Sequence, residues 1–212
     1  MATPTASPHI RKTCPPVPPR GLIILLHGGA ERSTQQVNAL RPAWQQVLRI
    51  QRAIAERTND AGIAVWAVRH AVAGWNDNSD PDPVQDARKT ISAVRLAFGD
   101  LPIVLTGHSM GGRTAVRAAD DPSVVGVVGL APWLPDQESV QPLAGKHLRV
   151  AHARLDWISP VSEMQPFLNR AKSVTASYQV HDLGHDIHSM VFGSRWHEFT
   201  LTQTLELLRS AQ

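Results

Sequence analysis

The clearest chemical pattern in the chain is Gly107-His108-Ser109-Met110-Gly111, a G-x-S-x-G sequence. A β-like run, Pro102–Thr106, leads into it and a helix-like segment follows. Such a strand-to-helix turn is sharp and exposes its middle side chain in a strained backbone conformation. The positions two before and two after pass so close that glycine is needed at both. A serine presented this way becomes a nucleophile when a base takes its proton. Donors must then face the oxygen on which negative charge develops. One is the backbone N–H of Met110, at a helix N-terminus whose dipole favours an anion. The segment His27-Gly28-Gly29-Ala30 offers the second, because glycines allow close backbone approach. Gly29 is the assigned donor, with Ala30 as the alternative, and His27 supports the loop.

These residues need a frame. Gly21–Leu26 and Ala64–Val68 are continuous apolar runs, as in strands buried on both faces. Ile103–Thr106, Val124–Leu130, Leu148–Ala153 and Ala176–Val180 complete six strands. Between them the spacing predicts helices over Ala43–Arg57, Pro83–Phe98, Gly112–Ala119 and Pro160–Ala171, and Trp196–Leu208 closes the chain. Asp82 reads as the N-cap of the second helix, with Pro83 and Gln85 behind it. Alternating strands and helices imply parallel βαβ units with right-handed crossovers. The expected fold is α/β: a doubly wound, mostly parallel six-stranded sheet with helices on both faces, spanning residues 21–212. In such sheets ligands bind beyond the carboxyl ends of the strands.

The Ser109 segment resembles the nucleophile elbow of the α/β-hydrolase superfamily. The stretch Gly107–Gly112, together with Ala131-Pro132-Trp133-Leu134-Pro135, resembles a group of uncharacterised actinobacterial α/β hydrolases. His27-Gly28-Gly29, Gly74-Trp75-Asn76 and Arg195-Trp196-His197 belong to the same likeness. The resemblance implies a triad in the chain order Ser, acid, His. Asp156, the first carboxylate after Leu148–Ala153, is the expected acid; Asp136 and Glu138 are alternatives after the preceding strand. Three histidines follow the last strand. His185, in a Gly-His pair, is assigned as the base. His188, followed by Ser-Met, is the alternative, and His181 lies too close to the strand. A metal held by this histidine and aspartate cluster is not expected, because a short loop converges poorly on one ion. No cofactor is expected either.

The implied chemistry is acyl transfer through Ser109, then hydrolysis. Trp75, Trp133 and Trp157 each follow a strand closely and are the expected lining of an apolar acyl pocket. The short connection from Ala131 to His147 leaves no room for a helical cap, so the site is expected to be open and the substrate small and soluble. The leading expectation is a serine esterase acting on small carboxylic esters. A thioesterase or acyltransferase with the same triad, or a silent binding protein on this fold, are the alternatives.

Composition sets the outer limits. The chain has 212 residues, 42% hydrophobic and 18% charged, which suits one globular domain. No apolar run reaches the roughly 18 residues of a membrane span. The net charge of +3 comes without a basic stripe, so nucleic acid is not an expected partner. A single cysteine, Cys14, allows no intramolecular disulfide and fits a reducing, cytoplasmic setting. Residues 1–20 hold six prolines and read as a flexible, extended arm.

Overall fold

A computed structural model describes residues 7–188, 190 and 193–211. Seven strands form one sheet: β1 (His9–Thr13), β2 (Gly21–Leu26), β3 (Ile63–Arg69), β4 (Ile103–His108), β5 (Val124–Leu130), β6 (His147–His152) and β7 (Ser177–Asp182). Their order is β1-β3-β2-β4-β5-β6-β7. Every pairing is parallel except β1 with β3. The helices are α1 (Pro42–Asp60), α2 (Asp82–Phe98), α3 (Met110–Arg117), α4 (Val161–Ala171) and α5 (Gly193–Ser210).

The β2 run explains the layering. Leu22, Ile24 and Leu26 face one side and pack with α2, α3 and α4. Ile23 and Leu25 face the other and pack with α1 and α5. A strand covered on both faces has no solvent side, so its polar positions vanish. Order reverses around β2, which places the crevice beyond the carboxyl ends of β2 and β4. No cap domain interrupts the described residues. Between β5 and β6 the only helical piece among them is the turn Gln141–Leu143.

Two expectations change. The seventh strand comes from the arm that reads as flexible; residues 1–6 of that arm lie outside the described residues. His9–Thr13 lacks proline, so its backbone can enter a ladder, while Pro15, Pro16, Pro18 and Pro19 shape the turn that follows. Gln51 of α1 pins this edge: its Nε2 donates to the carbonyls of Arg11 and Val65 at 3.0 Å each, and to Thr13 Oγ1 at 3.2 Å. The second change concerns Asp82, which begins α2 rather than capping it; Pro81 holds the cap position without a side-chain bond. Asp82 Oδ2 instead accepts a 2.9 Å hydrogen bond from Asn76 Nδ2, tying the loop after β3 to α2.

Gln51→Ala should therefore loosen β1 before the rest of the sheet. Removing donors to buried carbonyls costs about 1–3 kcal/mol. Native-state hydrogen exchange should show faster exchange across residues 9–13, with β4 and β5 amides unchanged.

Candidate functional site

The elbow forms because three backbone segments crowd at one point. A Cβ at Gly107 would collide with the Gly111 carbonyl, and one at Gly111 with the Leu26 carbonyl. Ser109 sits at φ 54° and ψ −120°, a conformation L-residues rarely adopt. Its N–H donates to Leu130 O at 3.1 Å, and its carbonyl accepts from Trp133 N at 3.0 Å. The strained residue is thus fastened to the end of β5 on both sides.

Gly29 lies against Met110. A side chain at Gly29 would strike the Met110 thioether and the Ala73 carbonyl. Ala30 N donates to Ala73 O at 2.8 Å, so it is not available as a donor. Among the described residues, the N–H groups of Gly29 and Met110 donate to no acceptor. His27 supports the loop, as expected. Its Nε2 accepts from His70 N at 3.0 Å, which leaves the proton on Nδ1 to donate to Gly28 O at 2.6 Å. Burial and the neighbouring His70 hold His27 well below the usual histidine range, in its neutral form.

Asp156 follows β6 and is buried. Its Oδ1 accepts from the N–H groups of Ile158 at 3.0 Å and Ser159 at 2.9 Å. Its Oδ2 accepts from His188 Nδ1 at 2.9 Å. Burial opposes its ionisation, but the bonds from His188, Ser159 and Ile158 outweigh this and keep its carboxyl below the ordinary value. The alternative acids are engaged elsewhere. Glu138 is buried between Arg113 and Arg117, and Asp136 pairs with Arg170 near the surface.

The partner of Asp156 is His188, not His185. His185 is exposed and lines a shallow hollow with Leu183, Asp186, Ser194 and Arg195. Positive φ at Gly184 turns the chain there, and the loop needs three further residues to bring an imidazole over β6. His181 packs on Phe199, with its Nε2 3.1 Å from Gln179 Oε1. Among the described residues no three His, Cys, Asp or Glu side chains converge as a metal set.

Two further groups hold His188. His108, next to the serine, stacks its ring 4.8 Å from the His188 ring, and its Nε2 donates to the His188 carbonyl at 2.9 Å. Asp186 accepts from buried Trp196 Nε1 at 2.7 Å and from Ile187 N at 2.8 Å, anchoring the loop to α5. The elbow sequence already contained His108, as the residue between Gly107 and Ser109. Nothing in the local pattern showed that it would reach a loop eighty positions later.

The three tryptophans separate. Trp75 and Trp133 meet edge to face at 6.2 Å. Trp157 is 79% exposed, at the apex of the turn that Asp156 binds, and lines none of the described cavities. The expected apolar pocket is also more polar than its tryptophans suggested. The Arg113 guanidinium lies 4.1 Å from the Trp75 ring and 4.5 Å from the Trp133 ring. Both indoles border a cavity of about 650 Å³ beside the Gly29–Ala30 loop.

The profile of the Hydrolase_4 family, described as serine aminopeptidase, S33, matches residues 44–202. The chain belongs to this family of α/β hydrolases. Among curated proteins, none matches the sequence. Solved structures share the fold. An alpha-beta serine hydrolase homologue from Coxiella burnetii is 15% identical with a TM-score of 0.70, covering 96% of this chain and 94% of that one. Est1E from Butyrivibrio proteoclasticus, with ferulic acid bound, is 12% identical with a TM-score of 0.70, covering 95% and 96%. The esterase Est2 from Thermogutta terrifontis, with butyrate bound, is 16% identical with a TM-score of 0.70, covering 96% and 89%. These comparisons reach the superfamily and do not single out actinobacterial proteins. No helix among the described residues is long and apolar enough to cross a membrane.

Two buried histidines near the site should make stability depend on pH. Burial holds His108 down to about 3 and His152 down to about 4, both below the ordinary 6.5. Between about pH 4 and 6.5 the unfolded chain binds protons that the folded chain refuses, so stability falls as pH falls through that window. Each histidine contributes a slope of about 1.4 kcal/mol per pH unit. Urea midpoints measured from pH 4 to 7 should show a shallower slope in His152→Leu than in the wild type; equal slopes would remove His152 as a source.

Proposed function

We propose that the chain is a serine hydrolase of small carboxylic esters, with Ser109, His188 and Asp156 as its triad. The observation that carries the reading is the 2.9 Å His188–Asp156 hydrogen bond, on a loop held by the histidine that precedes the strained Ser109. It replaces His185 by His188 as base and keeps Ser109 and Asp156. Because Nδ1–H donates to Asp156, Nε2 is the basic nitrogen.

Ser109 Oγ attacks the ester carbonyl carbon while His188 Nε2 takes its proton. The oxyanion is met by the N–H groups of Gly29 and Met110, each contributing about 2.7–4 kcal/mol. Collapse breaks the bond to the alcohol, whose oxygen receives the proton from His188, and leaves an acyl-enzyme. Water then gives its proton to His188 and its oxygen to the acyl carbon, releasing the acid and restoring Ser109. Asp156 stays ionised and stabilises the imidazolium form. The open site and the acyl chemistry favour small soluble esters over an aggregated lipid.

The experiment compares p-nitrophenyl butyrate turnover and fluorophosphonate labelling in wild type, Ser109→Ala, His188→Ala and His185→Ala. His188→Ala should lose about 10⁶-fold in kcat, leaving the residual catalysis that the oxyanion donors and binding supply. His185→Ala should stay within about twofold, as expected of a surface side chain. Full turnover in His188→Ala would overturn the base assignment. Absence of labelling in folded wild type would favour a silent binding protein, and a thioester and amide panel then ranks the leaving groups.

A further inference from the structure

The cavity beside the Gly29–Ala30 loop is a built structure rather than a gap in packing. At about 650 Å³ it falls within the range of about 300–1,000 Å³ typical of ligand pockets. Its back wall is fixed. Arg113 is 5% exposed, clamped between Trp75 and Trp133, with its Nε committed to Glu138 and its Nη2 3.1 Å from Asn78 Oδ1. Asn78 Oδ1 also accepts from Trp75 Nε1 at 2.8 Å. Arg117 shares Glu138 and donates through Nη1 to Asn78 O at 3.0 Å. Arg113, although nearly sealed, is among the residues that line the cavity.

The charges identify the ligand class. Arg32, Arg113 and Arg117 line the cavity against Glu31, Asp77 and Glu138, an equal number of each sign. An anion would meet the carboxylates of Glu31 and Asp77, and a cation would meet the guanidiniums. A neutral hydroxyl both donates and accepts, so it can use both kinds of wall. The partly exposed Trp133 supplies an apolar surface for the C–H face of such a group. The backbone joins this wall to the site: Glu31 and Arg32 follow the Gly29–Ala30 loop directly, and Trp133 N donates to the Ser109 carbonyl.

We propose that this cavity binds a neutral polyhydroxylated group, a sugar or polyol, as one part of the ester that Ser109 cleaves. The proposal rests on the ester-hydrolase reading above and narrows it to acylated polyols. Glu138 and Asn78 hold the wall, while Arg32 and Gln137 at the exposed edge contact the hydroxyls.

The test compares three butyrate esters with the same acyl group: 6-O-butyryl glucose, cyclohexylmethyl butyrate and carboxymethyl butyrate. Wild type should show a kcat/KM about tenfold higher on the glucose ester than on the cyclohexylmethyl ester, as one or two net hydrogen bonds provide. The double variant Arg32→Leu/Gln137→Leu should lose that preference, its kcat/KM on the glucose ester falling to its value on the cyclohexylmethyl ester. Equal kcat/KM for the glucose and cyclohexylmethyl esters in wild type would overturn the proposal. So would a preference for the anionic carboxymethyl ester, or a preference that survives the double variant. Calorimetric binding of 6-O-butyryl glucose to Ser109→Ala reads the cavity without chemistry. Binding there with no turnover of any ester in wild type would leave the polyol site standing and remove the esterase reading. No binding would remove the site itself.

Discussion

The fastening of Ser109 to the end of β5 sets the rest of the arrangement. Its φ of 54° costs about 1–3 kcal/mol, and such strain persists only where the surroundings over-determine it. Here they do so from two directions. Leu130 O and Trp133 N hold the serine's backbone, and glycines at 107 and 111 let α3 descend onto the carboxyl ends of β4 and β2. A single Cβ at either glycine would push α3 away and unload the strain. Ala131, at φ 43°, carries a second strained step on the same hinge, so the turn after β5 is shaped by the elbow it supports.

That geometry governs the histidines. His108 points away from solvent because the elbow turns its neighbour outward, and its ring thereby becomes a donor to the loop carrying His188. The loops after β6 and β7 are knit by backbone bonds: Leu183 N to His152 O, Arg154 N to Gly184 O and Leu155 N to Asp186 O. Asp156 and His188, from different loops, are therefore joined through these main-chain bonds as well as through their own hydrogen bond. Burial keeps His27, His108 and His152 neutral, so none of these three neighbours adds a positive charge to the surroundings of His188.

Much of this was legible in the chain, and for identifiable reasons. Buried parallel strands announce themselves as continuous apolar runs, and the G-x-S-x-G pattern is forced by close backbone approach, so six strands, Ser109 and Met110 were readable. Asp156 was readable because an acid after β6 is local to a strand end. His185 and His188 are three residues apart on one loop, and only the path of that loop over β6 separates them. Trp75, Trp133 and Trp157 look alike as post-strand aromatics. Their fates diverge through partners far along the chain: Arg113 draws two of them together, while the turn bound by Asp156 projects the third. The β1 edge escaped because four prolines nearby masked a short stretch able to pair.

The missing cap gives the Arg113–Glu138–Arg117 cluster its weight. A cap ordinarily walls an acyl site with apolar surface, but residues 131–146 are too few to build one. The connection instead contributes Trp133 and buried Glu138 to a wall completed by α3. Placing a carboxylate where its charge is nearly sealed from water is costly unless it is fully paired. Glu138 meets that condition by accepting from two guanidiniums, one held between indoles. For stability alone, apolar side chains of similar volume would serve as well or better. A charged wall that keeps donors and acceptors in fixed positions suits a ligand recognised by hydrogen bonds, with no lid among the described residues to exclude water.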